Sequence, residues 1–344
     1  MMLSRLLTYP IIQGPMAGGA STPQLVAAVS NAGGLGSLAA GMLAPAAIGE
    51  QVRQIRALTA RPFAINLFVQ QTPTPSELEL QQAEQWLKPV WSALGWDGLP
   101  RPARWCEDFA AQFEALIDAA PALASFTFDI LSQAQVTRLQ AAGIAVVGTA
   151  TQPSEALAWQ ALGVDAVCLS GGEAGGHRGT FIGPQEDVHF STMELLALCL
   201  PQLRVPAIVA GNIMDGHDIA AALAAGAAAV QMGTAFLVTP ECGIDPAYQQ
   251  RLLSATTDCT RQTRAITGRL ARGLDNRFMQ AMEAVAAQVP AYPVQNALTA
   301  GLRSAAAKLG DTELMSLWAG QGVARARAMP AAQLLALLVA EAGL

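Results

Sequence analysis

The sequence predicts an α/β fold, a TIM (β/α)8 barrel, and three observations carry that expectation. First, one pattern occurs three times: an Ala-rich helical stretch, a glycine that closes it, and a short apolar run. It ends in the runs 145–148, 166–169 and 229–232. Second, short continuous apolar strands alternating with helices build a parallel sheet whose outer face is covered. Third, a stretch with five glycines, residues 171–179, directly follows the apolar run 166–169. In a barrel, the loops after the strands form the active site.

Taken in chain order, the strands fall at 11–14, 34–37, 63–67, 124–128, 145–148, 166–169, 207–210 and 229–232. Helical stretches separate most of them. The first, from Pro23 to Asn31, has Ser21 or Thr22 available as a cap and Pro23 suited to the first turn. Residues 70–119, after the third strand, hold Trp86, Trp91, Trp96 and Trp105 and are expected to form a helical insert that packs on the barrel rim or serves as a substrate-access lid. Beyond about Thr239 the strand rhythm stops. The expected organisation is therefore a barrel over 1–239 and a helical C-terminal region over 240–344, packed on the barrel mouth. Arg261, Arg264, Arg269, Arg272 and Arg277, with Asp275 among them, read as solvated or ion-paired groups rather than a phosphate site.

Composition narrows the function. The net charge of −6 argues against nucleic acid or an anionic membrane as the main partner. No run of eighteen apolar residues suggests a transmembrane helix, and the first nine residues lack the pattern of a signal peptide. Cys106, Cys168, Cys199, Cys242 and Cys259 are scattered, which points to reduced thiols in a cytoplasmic protein and to neither a disulfide frame nor a metal site.

The loops that follow the strands carry a specific inventory. After the first strand come Pro15, Met16, Ala17 and Gly18, a polarisable side chain among small residues on which a flat ring can rest. Asn66 ends the third strand and offers a carboxamide that can donate and accept. Ser170 and Gly175 follow the sixth strand, and Gly211-Asn212 the seventh. The eighth leads through Gln231, Met232, Gly233 and Thr234 into a short helix, whose free amides and Thr234 hydroxyl suit a phosphate. A phosphate cradle, a flat floor and an amide at one mouth match flavin mononucleotide (FMN). A classical NAD site is not supported, since no complete Gly-x-Gly-x-x-Gly follows a strand with an acidic residue at the required distance. His189 and His217 lie in polar settings and read as exposed. His177 sits in the glycine-rich loop with little to pack against, and near its reference pKa it would act as a base or orient a substrate oxygen.

With these residues in view, Gln13-Gly14-Pro15-Met16-Ala17-Gly18-Gly19 and Ser30-Asn31-Ala32-Gly33-Gly34-Leu35-Gly36 together resemble the opening motif of the nitronate monooxygenases, formerly called 2-nitropropane dioxygenases. Ser125-Phe126-Thr127-Phe128, residues 172–179 and Leu317-Trp318-Ala319-Gly320-Gln321-Gly322 extend the resemblance along the chain, and Tyr292-Pro293 with Asn296 resembles the class I branch. The resemblance implies a TIM barrel with non-covalent FMN that oxidises alkyl nitronates of the propionate 3-nitronate type with O2. It implies that Asn66, Gly175, Gln231, Met232, Gly233 and Thr234 contact FMN and that His177 is the catalytic histidine. Three positions depart from the family pattern. Ser170 stands where glutamine is typical and shortens a contact to the flavin. Asn212 stands where a second glycine is usual, so its side chain must point away. Asp129 stands where glycine is usual and would place a carboxylate near the mouth, either repelling an anionic nitronate or paired with a nearby arginine such as Arg178.

Two alternatives stay open on the sequence alone: an NAD(P)H-dependent FMN reductase of quinones or enoyl thioesters, and a flavin-free phosphate-binding barrel of isomerase type. A homodimer is compatible with all three readings.

Overall fold

A computed structural model describes residues 3–185 and 189–344. Eight parallel strands form the barrel: β1 (Ile11–Gln13), β2 (Gly36–Ala39), β3 (Phe63–Phe68), β4 (Leu123–Thr127), β5 (Ala145–Ala150), β6 (Ala166–Ser170), β8 (Ala207–Ala210) and β9 (Ala229–Met232). Their order is β1-β9-β8-β6-β5-β4-β3-β2, with β7 (Gly176–His177) in a separate sheet. Gln13 N donates to Leu35 O at 2.9 Å and Leu35 N to Ile11 O at 3.0 Å, which closes the ring between β1 and the approach to β2. The second strand starts two residues later than the apolar pattern predicts. A Cβ at Gly34 would lie 2.9 Å from Ile11 O, so glycine is needed there for close approach rather than for pairing.

Successive strand residues face opposite sides. Ala145, Val147, Ala166, Cys168, Ile208 and Ala210 join the inner cluster, while Val146, Val167 and Leu169 join the layer beneath the helices. Leu6 and Leu7 pack on the inner cluster, which also holds Leu3 of the short helix α1 (Leu3–Leu6). On β5, Gly148 makes room for Trp159, whose ring would come within 2.0 Å of a Cβ there. Cys168 is sealed inside the barrel, and burial pushes its thiol up to about 12.

Thr22 caps α2 (Pro23–Asn31), with Pro23 in the first turn as the sequence suggests. The segment after β3 divides in two. Helix α5 (Phe109–Ala119) belongs to the barrel, with Phe113 and Leu116 in the layer around the strands. Helix α4 (Glu77–Ala93) belongs to a second core, where Leu80, Leu87 and Val90 meet Phe278, Met279, Leu298 and Leu302. The four tryptophans of this segment pack on that second core, which also takes in Ala20, Leu237 and Val238 from the loops at the barrel mouth.

The C-terminal region holds helices and one feature absent from the sequence expectation. Strands β10 (Thr260–Thr263) and β11 (Ala271–Leu274) form an antiparallel hairpin, and β11 pairs with β7. The last helix, α13 (Ala331–Ala342), does not sit on the mouth. It packs against α2 and α9 (Gly216–Ala224), and so completes the outer ring.

Candidate active site

A cavity of about 710 Å³ opens at the C-terminal ends of the barrel strands. Each site residue proposed from the sequence lines it, from Pro15–Gly18 and Asn66 through Ser170, Gly175 and His177 to Gly211, Asn212 and residues 231–234. Its size is within the ~300–1,000 Å³ typical of cofactor and ligand pockets.

The amides of Gly211, Asn212, Gly233 and Thr234 have no acceptor among the described residues. Two strand-to-loop junctions thus aim orphan N–H groups into one cavity, the arrangement that binds a phosphate. Thr234 Oγ1 accepts from Gly320 N at 3.0 Å, so its own proton remains available. Asn212 takes a left-handed backbone (φ +55°). Its side chain is turned onto Arg325, whose Nη2 donates to Asn212 O at 3.0 Å and Oδ1 at 3.3 Å. Arg325 is held in turn by Asp215 and Asp218 at 2.9 and 2.8 Å. The departure at this position therefore leaves the amide free.

Asn66 Nδ2 donates to Ser125 O at 3.1 Å and Ser125 Oγ at 3.0 Å. Its donor side is spent inside the barrel, and Oδ1 is the group it offers to the cavity.

The glycine-rich loop works differently from the sequence expectation. A Cβ at Gly175 would fall 2.5 Å from Ala319 C and Gly320 N, and one at Gly171 2.3 Å from Thr192 Oγ1. Gly176 needs its positive φ of +75°. These glycines let the loop press against neighbouring chain segments, and Gly175 and Gly176 also line the cavity. His177, in turn, has close neighbours. Its ring lies 5.6 Å from Phe128, 5.6 Å from Tyr292 and 5.3 Å from Trp318. Nε2 is 2.9 Å from Thr267 Oγ1. Burial, then the positive charges of Arg269 and Arg303, push the imidazole down to about 3. It is neutral at pH 7 and a far weaker base than its reference pKa suggests.

Phe128 has φ +84°, a costly conformation for a bulky residue. Phe68 stacks on it at 4.4 Å and the Arg269 guanidinium covers it at 4.2 Å. Turning the chain here puts Phe128 on the cavity wall and Asp129 outside. Asp129 is exposed, accepts from Ile130 N at 2.8 Å, and is not among the lining residues. The expected repulsion of an anionic substrate by Asp129 is therefore corrected: the carboxylate stands outside the cavity, and a charge it acts on is the Arg269 guanidinium.

His189, His217, Arg261 and Arg277 fit the expected readings, but Arg269 and Arg272 do not: burial lowers both guanidinium groups, and they donate to backbone carbonyls, Arg269 to those of Arg178 and Thr180 and Arg272 to that of Gly172. His189 and His217 are exposed. Arg261 pairs with Asp275 and Glu283, and Arg277 with Asp311. Sequence reasoning passed over Thr267 and Arg303 as site residues. Arg303 lines the cavity from helix α12 (Val294–Leu309), where an arginine ordinarily reads as a solvated face.

A parallel barrel with a deep chamber at the C-terminal mouth, orphan amides on two loops and a buried histidine defines a TIM-barrel enzyme acting on a small molecule. Residues 1–341 match the family model for nitronate monooxygenase. The chain belongs to the nitronate monooxygenase family, which makes it an oxidoreductase. It is 38% identical over 328 residues to a probable nitronate monooxygenase of Staphylococcus aureus (strain Newman), covering 94% of this chain and 92% of that one. Among solved structures it is similar to nitroalkane oxidase from Streptomyces ansochromogenes (41% identity, TM-score 0.92, 100% and 98% of the two chains). It is also similar to FabK from Thermotoga maritima (26% identity, TM-score 0.77, 99% and 94%).

Proposed function

We propose that the protein is an FMN-dependent nitronate monooxygenase that oxidises alkyl nitronates, of the propionate 3-nitronate type, with O2 to the aldehyde or keto product and nitrite. The observation that carries the cofactor assignment is the set of orphan amides at Gly211, Asn212, Gly233 and Thr234, which together with the Thr234 hydroxyl would hold the FMN phosphate. Met16 and its small neighbours would support the ring, and Asn66 Oδ1 would accept from its edge. FMN, when bound, supplies the electron transfer from nitronate to O2 that no side chain can perform.

The chain's own residues shape the chamber. Phe128 and Trp318 border it together with His177, and Tyr292 packs on the His177 and Phe128 rings. These rings give the chamber an aromatic wall beside His177. His177 is neutral and weakly basic, which gives little driving force for taking a proton from carbon. The site therefore suits a substrate that arrives already deprotonated, a nitronate rather than a neutral nitroalkane. The five unpaired cysteines support a reducing, cytoplasmic setting. Among the described residues no helix is long and apolar enough to cross a membrane.

The test is an aerobic assay of the purified protein with propyl 1-nitronate and propionate 3-nitronate. Coupled O2 consumption and nitrite release, dependent on bound FMN, are expected. Protein that purifies without flavin and is inert after FMN is added would refute the reading.

A further inference from the structure

The cavity holds one cation whose balance the fold leaves open. Arg303 lies on α12 and faces the chamber that His177 borders. Its Nη2 donates to Asn296 O at 2.9 Å and Asn296 Oδ1 at 2.8 Å, and Nη1 reaches Ser316 Oγ at 3.3 Å. Its Nε is buried with no acceptor. Among the described residues, no carboxylate stands within ion-pair distance of this guanidinium. The one group near enough to favour its charge is the Tyr292 phenol, and burial lowers the guanidinium to about 10. It remains charged at neutral pH.

Other buried arginines here are treated differently. Arg269 and Arg178 feel the charge of Glu155, and Arg272 that of Glu173. The carboxylate on the cavity wall, Asp245, is engaged in capping helix α10 (Pro246–Leu253) through Ala247 N at 2.8 Å. A buried charge without a counterion is costly to keep. A guanidinium with a spare N–H facing a ligand chamber is well matched to a carboxylate.

We propose that Arg303 is a specificity residue that receives the anionic tail of the substrate, so that the enzyme selects nitronates carrying a carboxylate over nitronates with a plain alkyl chain. This rests on the nitronate reading of the site. Asn296 O, Asn296 Oδ1 and Ser316 Oγ then act as its positioning partners, holding the fork while the remaining Nη1 proton meets the ligand.

The experiment compares holoenzyme with propionate 3-nitronate, which bears a carboxylate, and propyl 1-nitronate, which lacks one. In R303M the ratio of kcat/KM between the two should fall roughly 10- to 150-fold, carried by KM, the size expected for a lost charged hydrogen bond. R303K should recover part of that ratio. Equal losses on both substrates would place the guanidinium on the nitronate group itself and overturn the proposal. Oxidation of neither nitronate by wild-type enzyme would sink the nitronate reading first. A measurement on wild type alone guards against misfolding of the variants. Calorimetric binding of 3-nitropropionate should be at least about tenfold tighter than that of 1-nitropropane, a step of one decade in Kd. Equal affinity would overturn the proposal.

Discussion

His177 Nε2 lies 2.9 Å from Thr267 Oγ1, and the same hydroxyl lies 3.2 Å from the carbonyl of Arg269. The carbonyl can only accept, so Thr267 donates to Arg269 and accepts from His177. This chain puts the imidazole proton on Nε2 and leaves Nδ1 as the acceptor. Thr267 comes from the turn between β10 and β11, the hairpin that also pairs with the strand bearing His177. Position and tautomer of the histidine are therefore set by one element.

Replacing Thr267 with valine removes the chain while keeping the shape. With 15N-labelled protein, the wild-type His177 ring should show a protonated Nε2 and a bare Nδ1. T267V should mix the tautomers and lower kcat on a nitronate on the order of fivefold, the size of one lost positioning hydrogen bond of about 1 kcal/mol. T267S should retain both the tautomer and the rate. A wild-type ring protonated at Nδ1 would contradict the assignment.

The buried neutral histidine also shapes acid stability. Its folded pKa is near 3, below the unfolded value near 6.5. The unfolded chain therefore binds the extra proton in that window, and the His177 contribution, complete above pH 6.5, is lost as pH falls toward 3. Between pH 7 and pH 5 the flavin-free protein should lose about 2 kcal/mol more than H177Q in denaturant unfolding. Parallel pH profiles for the two proteins would show that the imidazole titrates normally in the fold.

Gly233 and Asn212 test the phosphate cradle. A Cβ at Gly233 meets nothing nearer than Met16 Cγ at 3.8 Å, so G233V should fold and fill cavity space instead. Its FMN affinity should drop roughly 10- to 100-fold, as expected for overpacking of a fitted site. N212G should bind FMN within about threefold of wild type, since glycine adopts the same φ and keeps the amide. N212V, which resists that backbone, should lose FMN. Undiminished flavin in both G233V and N212V would place the phosphate elsewhere.

The barrel was legible because buried parallel strands are short unbroken apolar runs, and β5, β6 and β9 carry them plainly. The loops at their ends were legible for the same reason, since the barrel topology alone places Asn66, Gly211 and Gly233 at one mouth. The β10–β11 hairpin was not, because Thr260–Thr263 and Ala271–Leu274 are largely polar or small and show no alternation. Thr267 is 90 residues from His177 in sequence, and no local pattern marks such a partner. Asp129 was misplaced because the reading assumed regular strand geometry through Phe128, where the backbone turns to positive φ. The final helix was expected but assigned to the mouth, because its place between α2 and α9 is settled by packing across the whole chain.

Anaerobic mixing of FMN-loaded protein with a nitronate and, separately, with NADH and NADPH tests the central claim most directly. The account predicts that propionate 3-nitronate bleaches the visible flavin absorbance while neither nicotinamide does so at a rate matching turnover. Bleaching by NADH or NADPH, with the nitronate leaving the spectrum unchanged, would contradict it and assign the chamber to a reductase.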